Sequence, residues 1–110
     1  MPTKNHTMNQ QQKKVYICGK VTGLPYHEVT RKFGEAHLKL LQQGYLPVNP
    51  LAVVNDWHMP WEQAMRLCIK ALMDCDAVYL LHDWQQSKGA KVEHQICMQV
   101  GIAVFNPENQ

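Results

Sequence analysis

Short apolar runs alternate with amphipathic segments along this chain of 110 residues. Four runs have the length of β-strands: VYIC (15–18), YLPV (45–48), AVYLL (77–81) and IAVF (102–105). AVYLL is apolar throughout, which is typical of a strand covered on both faces. Pro47 cannot donate a ladder hydrogen bond, so the second run is predicted to lie at a sheet edge.

Helical periodicity fills the intervals between these runs. The apolar positions of residues 26–43 recur at helical spacing and Gly44 follows them, which predicts a first helix. A second helix is predicted at about 61–73, after a loop rich in Asn and Pro, and a third from SKGAKVEHQ (87–95) to about Val100. The order β-α-β-(loop-α)-β-α-β predicts an α/β fold. We expect a small Rossmann- or flavodoxin-like parallel sheet of about four strands, with helices on both faces.

Composition and charge narrow the class of protein. Apolar residues make up 45% and charged residues 18% of the chain, an ordinary globular balance, and the net charge of +2 does not call for nucleic acid or an anionic membrane. No apolar run approaches the roughly 20 residues of a membrane span, and the N-terminus lacks the apolar segment of a secretory signal. We expect a cytoplasmic protein with a disordered N-terminal tail (1–13) and a single domain (14–110).

Cysteine and histidine positions do not indicate disulfides or metal. The four cysteines lie in apolar stretches without C-x-x-C spacing: Cys18, Cys68, Cys75 and Cys97. We expect buried free thiols in a reducing compartment. The histidines share no ligand spacing, so no metal is expected.

Glu93 interrupts an otherwise apolar helix face. In a helix it shares that face with positions three or four residues away, Ala90, Ile96 and Cys97. Burying an unpaired carboxylate is costly, so such a residue is usually retained for a partner, a ligand or chemistry. A Ser-x-x-Glu capping box does not explain it, because Ala90 stands three residues after Ser87. The alternative is a glutamate at the rim of the stripe, with its carboxylate in water.

A ligand site is predicted beyond the carboxyl ends of the strands, where the strand order reverses. The residues expected there are Gly19, Lys20, Asn49, His82, Asp83 and Asn106. Ser87 would cap the third helix, and Gly89 in its first turn would let an anion approach free backbone N–H groups; plain capping by Ser87 is the alternative. Lys20 could meet a phosphate or remain solvated. His82 and Asp83 could protonate a leaving group or merely end the strand.

Several motifs together resemble the nucleoside 2-deoxyribosyltransferase-like superfamily. They are VYICGKVTG at the first strand, VNP after the second, CDAVYLL at the third and S-x-G-A-x-x-E at the helix that follows. Within the superfamily the chain is most similar to the DUF4406 branch, over about residues 14–105. The resemblance implies that the domain cleaves or transfers the N-glycosidic bond of a (deoxy)nucleoside or nucleoside monophosphate.

The resemblance also implies roles for the matched residues. Glu93 takes the place of the nucleophile that attacks the anomeric carbon, and Ser87 that of the residue that binds the sugar or its 5′ end. Tyr16 and Gly19 match the aromatic residue and the glycine of the first strand. The acid that assists the leaving base falls on His82, with Asp83 beside it, and the sequence leaves the two open.

Two departures from the superfamily bear on the substrate and the assembly. Lys20 stands where the superfamily often has proline, and Ser87 where transferases often have aspartate, which favours a nucleotide hydrolase-like site. Because the superfamily commonly completes its sites across subunits, a homo-oligomer is implied. We expect an enzyme for a small-molecule nucleoside or nucleotide, with no metal or cofactor, no nucleic acid and no membrane partner. The alternatives are a non-catalytic module that binds a nucleotide or ribosyl phosphate, and an assembly protein with a structural glutamate.

Overall fold

The four predicted strands form one parallel sheet in the computed structural model, which describes residues 12–105. The strands are β1 (Lys14–Cys18), β2 (Leu46–Val48), β3 (Ala77–Leu80) and β4 (Ala103–Phe105), in the spatial order β2-β1-β3-β4. Val15 pairs with Pro47 on one side and with Ala77 on the other. Each strand lies within one residue of its predicted bounds. The predicted fold class, a small parallel sheet with helices on both faces, is confirmed.

The two sequence features that distinguished the strands correspond to their places in the sheet. β2, which contains Pro47, is an edge strand, where a residue without an N–H group is tolerated. β3, the continuous apolar run, lies between β1 and β4, and Val78, Tyr79 and Leu80 are buried.

Four α-helices connect the strands of this part of the chain. They are α1 (Tyr26–Gln42), α2 (Pro50–Val54), α3 (Trp61–Met73) and α4 (Lys88–Val100), and a 3₁₀ turn (Trp84–Gln86) precedes α4. The sequence predicted α1, α3 and α4, but it assigned the five residues of α2 to a loop. In the structure Asn49 caps α2, because its side-chain oxygen accepts the Leu51 N–H at 3.0 Å, and Pro50 occupies the first turn.

Each face of the sheet has its own apolar core, because successive strand residues point to opposite sides. On the face covered by α1, called the α1 face, Val15 and Ile17 of β1 pack with Tyr79, Leu81 and the inward residues of the helix, Val29, Phe33, Ala36 and Leu40. On the opposite face, called the α4 face, Tyr16 and Cys18 pack with residues of α3 and α4, Cys68, Leu72, Ala90 and Cys97.

The remaining sequence expectations concern cysteines, the tail and membrane spans. All four cysteines are buried and free, as predicted. The predicted disordered tail (1–13) lies outside the described residues except for its last two, and Asn106 also lies outside them. Within residues 12–105, no helix combines the length and the apolar character that crossing a bilayer requires.

Candidate functional site

Glu93 lies on the buried side of α4, as its helical spacing predicted. Its side chain points at the sheet, and the residue is 5% exposed. The Tyr16 hydroxyl donates a hydrogen bond of 2.8 Å to Oε2, and the Cys18 thiol lies 3.5 Å both from Oε1 and from the Ala90 carbonyl oxygen, which share its one proton as acceptors. The alternative of a carboxylate in water at the rim of the stripe is therefore wrong.

The environment of Glu93 brings its pKa close to neutral pH. Burial raises the pKa of Glu93 to about 7, and the hydrogen bonds from Tyr16 and Cys18 partly oppose this rise. Neither of the two ion pairs formed within residues 12–105 includes Glu93. Near neutral pH the protonated and ionised forms are consequently both populated, as is common for groups that take part in chemistry.

The groups around Glu93 stay neutral and act as donors. Burial, and then the nearby Glu93 carboxylate, raise the pKa of Tyr16 well above its usual value, and they act in the same way on Cys18. Burial also raises the pKa of Cys68 to about 11 and that of Cys97 to about 11. Among residues 12–105, no three His, Cys, Asp or Glu side chains are grouped as metal ligands would be. The immediate surroundings of Glu93 thus include a phenol and thiols.

Ser87 and Gly89 begin the helix that carries Glu93. Ser87 is the N-cap of α4, as predicted, and its hydroxyl oxygen accepts the Ala90 N–H at 3.1 Å. A Cβ added at Gly89 would lie 2.9 Å from the Met65 sulfur of α3. The missing side chain of Gly89 therefore lets α4 approach α3, and its predicted contact with a ligand stays a prediction.

Asp83 occupies a setting unlike that of a proton donor. It is buried, its Oδ1 accepts the Lys20 N–H at 3.1 Å, and its Oδ2 forms an ion pair with the Lys32 ammonium. Burial acts to raise the pKa of Asp83, but the hydrogen bonds from Lys32 and from the Lys20 N–H outweigh it, so the pKa lies below its ordinary value. Asp83 is ionised at neutral pH and carries no proton to donate. Of the two residues left open as acid, His82 is exposed to solvent beside it.

The other predicted site residues lie at the carboxyl edge of the sheet in structural roles. A Cβ at Gly19 would lie 2.6 Å from the Leu81 side chain, so the loop after β1 passes directly against the end of β3. The Asn49 oxygen is engaged in capping α2, as described above. Lys20 is held through its main chain by Asp83, and its ammonium is among the groups that line a surface cleft.

The predicted site residues do not all converge on one point. Tyr16 and Glu93 meet on the α4 face, whereas Asp83 contacts Lys32 of α1, the helix that covers the opposite face. A cleft of about 540 Å³ opens beside Asp83, and its lining includes Lys20, Leu24, Lys32, Tyr79, Leu81 and His82. Glu93 is not among its lining residues.

Two participants were missed by sequence reasoning. Cys18 follows Tyr16 by two positions in β1, so the alternation of a strand already places both on one face. Lys32 carries no comparable signal, because its contact with Asp83 spans 51 residues of chain.

Comparison with known proteins gives one family match. The family model of DUF4406, a domain of unknown function, matches residues 13–106, a range that holds every strand and helix described above. No curated protein matches the chain. The predicted resemblance to DUF4406 is confirmed, and the tie to the wider nucleoside 2-deoxyribosyltransferase-like superfamily stays a prediction.

Proposed function

We propose that this chain, which belongs to the DUF4406 family, is an enzyme that hydrolyses or transfers at the N-glycosidic bond of a (deoxy)nucleoside or nucleoside monophosphate. The observation that carries the proposal is the buried contact between Glu93 and the Tyr16 hydroxyl at 2.8 Å, with the pKa of the carboxyl raised to about 7. The resemblance to the deoxyribosyltransferase-like superfamily, in which a helix glutamate attacks the anomeric carbon, supports the same assignment.

The reaction proceeds through Glu93 in two displacements. One carboxylate oxygen attacks C1′, the bond from C1′ to the base nitrogen breaks, and its electron pair leaves with the base, which takes up a proton. The sugar is then held as an ester of Glu93. Water, in hydrolysis, or a second base, in transfer, attacks C1′ and frees the carboxylate. An oxocarbenium-like transition state of this kind requires a carboxylate close to the anomeric carbon.

The neighbours of Glu93 orient it and set its pH dependence. The Tyr16 hydroxyl and the Cys18 thiol each donate to a different carboxylate oxygen, which fixes the plane of the group. The nucleophile must be ionised, so the rate of base release is expected to rise with pH through about 7. Because Asp83 is ionised and paired with Lys32, we assign protonation of the leaving base to His82, which lines the cleft on the α1 face, so this role requires a substrate that reaches from Glu93 to that cleft.

The start of α4 supports binding of the sugar or its 5′ group. Ser87 caps the helix, and the first turn of a helix presents unpaired N–H groups that favour an anion such as a phosphate. The proposal includes a small-molecule substrate, a homo-oligomer that completes the site, and a cytoplasmic location.

A panel of nucleosides and their 5′-monophosphates, with free base measured by chromatography, tests the proposal. We expect base release from at least one compound and a loss of roughly 1,000-fold or more in Glu93→Ala, as for removal of a covalent nucleophile. Glu62→Ala, which removes an exposed glutamate at the start of α3, is the matched control and should keep full activity. Full base release by Glu93→Ala would show that the nucleophile is wrongly assigned.

A second candidate function is a non-catalytic module that binds a nucleotide or ribosyl phosphate. The cleft on the α1 face favours it, because its lining has four basic side chains, Lys20, Arg31, Lys32 and Lys39, and three acidic ones, Glu28, Glu35 and Asp83. Arg31 is paired with Glu35 and Lys32 with Asp83, so Lys20 and Lys39 are the cations that a phosphate could meet. This function predicts that a nucleotide raises the melting temperature without base release, that Glu93→Ala retains the effect, and that Lys20→Ala loses it. Binding without base release by the wild type would replace the enzyme proposal with this one.

A further inference from the structure

We infer that Asp83 and Lys32 act as a pair of positioning residues, which clamp Lys20 and thereby hold the β1–α1 loop (19–25) against the end of β3. The inference rests on the proposed function, because the loop continues the strand that supplies the hydrogen-bond donors to Glu93. Under this inference Asp83 holds the loop in place instead of protonating the leaving base. Lys32, which had no predicted role, takes part in the same function.

The clamp is a closed set of three contacts. Asp83 Oδ1 accepts the Lys20 N–H at 3.1 Å, and the Lys32 ammonium donates to the Lys20 carbonyl at 2.7 Å. The third contact is the ion pair between Lys32 and Asp83, whose side chains are each only 11% exposed. Both main-chain polar groups of Lys20 are thus held by one buried ion pair, which joins the end of β1, α1 and the segment after β3.

The position of Lys20 is linked to Glu93 through the end of β1. Leu81 donates its N–H to the Cys18 carbonyl at 2.8 Å, and Gly19 passes so close to Leu81 that a Cβ there would lie 2.6 Å from its side chain. Cys18 in turn donates to Glu93. Releasing Lys20 would therefore loosen the contact between the end of β1 and Leu81, and it would shift Cys18, a donor to the proposed nucleophile.

An acid role and a positioning role for Asp83 make opposite predictions about Lys32. If Asp83 delivered a proton, removing the Lys32 cation would favour the protonated carboxyl and would preserve or improve base release. If the two residues only hold the loop together, loss of either partner should have the same effect as loss of the other.

Steady-state kinetics on Asp83→Ala, Lys32→Met and the double variant separate these roles. We expect each single variant to lose on the order of 10- to 100-fold in kcat/KM, as for a displaced catalytic group, and the double variant to lose no more than a single one. Lys32→Arg keeps the charge and should recover most of the activity. The rise of rate through about pH 7, which belongs to Glu93, should remain in all variants. Lys70→Met, which removes an exposed lysine of α3 that does not line the cleft, is the matched control.

Amide hydrogen exchange of Lys20 tests the clamp without substrate. Exchange should be faster in Asp83→Ala and in Lys32→Met and unchanged in Lys70→Met, and unchanged exchange in the first two variants would overturn the clamp. Asp83 would instead be identified as the acid if Asp83→Ala loses far more of its kcat/KM than Lys32→Met does, or if the pH profile of Asp83→Ala lacks one of its two limbs.

If the wild type binds a nucleotide without cleaving it, Kd replaces kcat/KM in the comparison. If nothing in the panel is bound or cleaved, the proposed function fails together with the positioning role, and exchange still decides whether the clamp exists.

Discussion

Two buried carboxylates near the carboxyl edge of one sheet have opposite electrostatic environments. Glu93 is 5% exposed and Asp83 is 8% exposed, so both are shielded from water, although Glu93 lies deeper in the protein. Glu93 meets a phenol and a thiol, and burial raises its pKa to about 7. Asp83 meets the Lys32 ammonium and a backbone N–H, which overcome the effect of burial and hold its pKa below the ordinary value. The charge of each group is decided by its depth together with its partner: Glu93 is deep and has only neutral donors, whereas Asp83 is shallower and has a cation.

This difference in electrostatic environment suits the two carboxylates to different roles. A buried carboxylate with a cation beside it is ionised at neutral pH and joins elements together, as Asp83 joins the end of β1 to α1. A buried carboxylate with only neutral donors destabilises the fold when it ionises, and it stays near the balance between its two forms. Glu93 consequently fits the proposed role of nucleophile better than Asp83 does, and its ionisation reduces the stability of the fold.

Glu93→Gln should make the protein more stable, and this is the largest change in stability that we expect. The folded pKa of about 7 lies above the ordinary value of 4.5, so the protonated carboxyl favours the folded state below pH 4.5 and this contribution is lost as pH rises through about 7. The variant cannot ionise and keeps the contribution. At about pH 8 it should exceed the wild type by about 3 kcal/mol in free energy of unfolding, measured in urea.

The critical measurement is how the difference in free energy of unfolding between Glu93→Gln and the wild type changes with pH. The two proteins should converge as pH falls from about 8 towards the ordinary pKa of 4.5. Glu62→Gln, at an exposed position of α3, should show no such dependence. A Glu93→Gln variant that is less stable than the wild type at every pH would mean that the carboxylate is needed by the fold, in favour of a structural glutamate.

Asp83→Asn should change stability in the opposite direction. It leaves the Lys32 cation without its partner in a site where each side chain is 11% exposed, so we expect a loss of about 2 kcal/mol at neutral pH. The folded pKa of Asp83 lies below 3.8, so the stability it provides is present above pH 3.8 and is lost as pH falls through that lowered pKa. Urea unfolding between about pH 7 and pH 3 should show the wild type losing its advantage only at the acid end. If the wild type and Asp83→Asn differ by the same free energy of unfolding at every pH, the ion pair is not the cause of the difference.

The fold was predictable because its signals are local. Apolar runs and helical spacing depend on neighbouring residues, and they placed every strand and three of the four helices. α2 was missed because five residues are too few to show periodicity. A signal was nevertheless present, since Asn49 followed by Pro50 is the sequence of a capped helix start.

The site was predictable only in the part that depends on local spacing. Helical and strand periodicity suffices to turn Glu93 towards the sheet and to place Tyr16 and Cys18 on a common face. The state of Asp83 depends on Lys32, which stands 51 residues earlier on another element, and no local pattern links them. The resemblance named the end of β3 as the place of an acid, but only the long-range ion pair distinguishes Asp83 from a proton donor.

Tyr16→Phe tests the smallest of these effects, the contribution of a neutral donor to the charge of Glu93. The hydrogen bond from Tyr16 lowers the pKa of Glu93 against the effect of burial, so its removal should raise that pKa further. The rise in base release should then move to higher pH, and the free energy of unfolding should fall by about 1 kcal/mol, more at high than at low pH. Tyr26→Phe, at a residue that is 60% exposed, is the matched control and should leave both unchanged. If the pH profile of Tyr16→Phe does not move, neutral donors do not set the charge of Glu93, and the contrast with Asp83 would rest on the Lys32 cation alone.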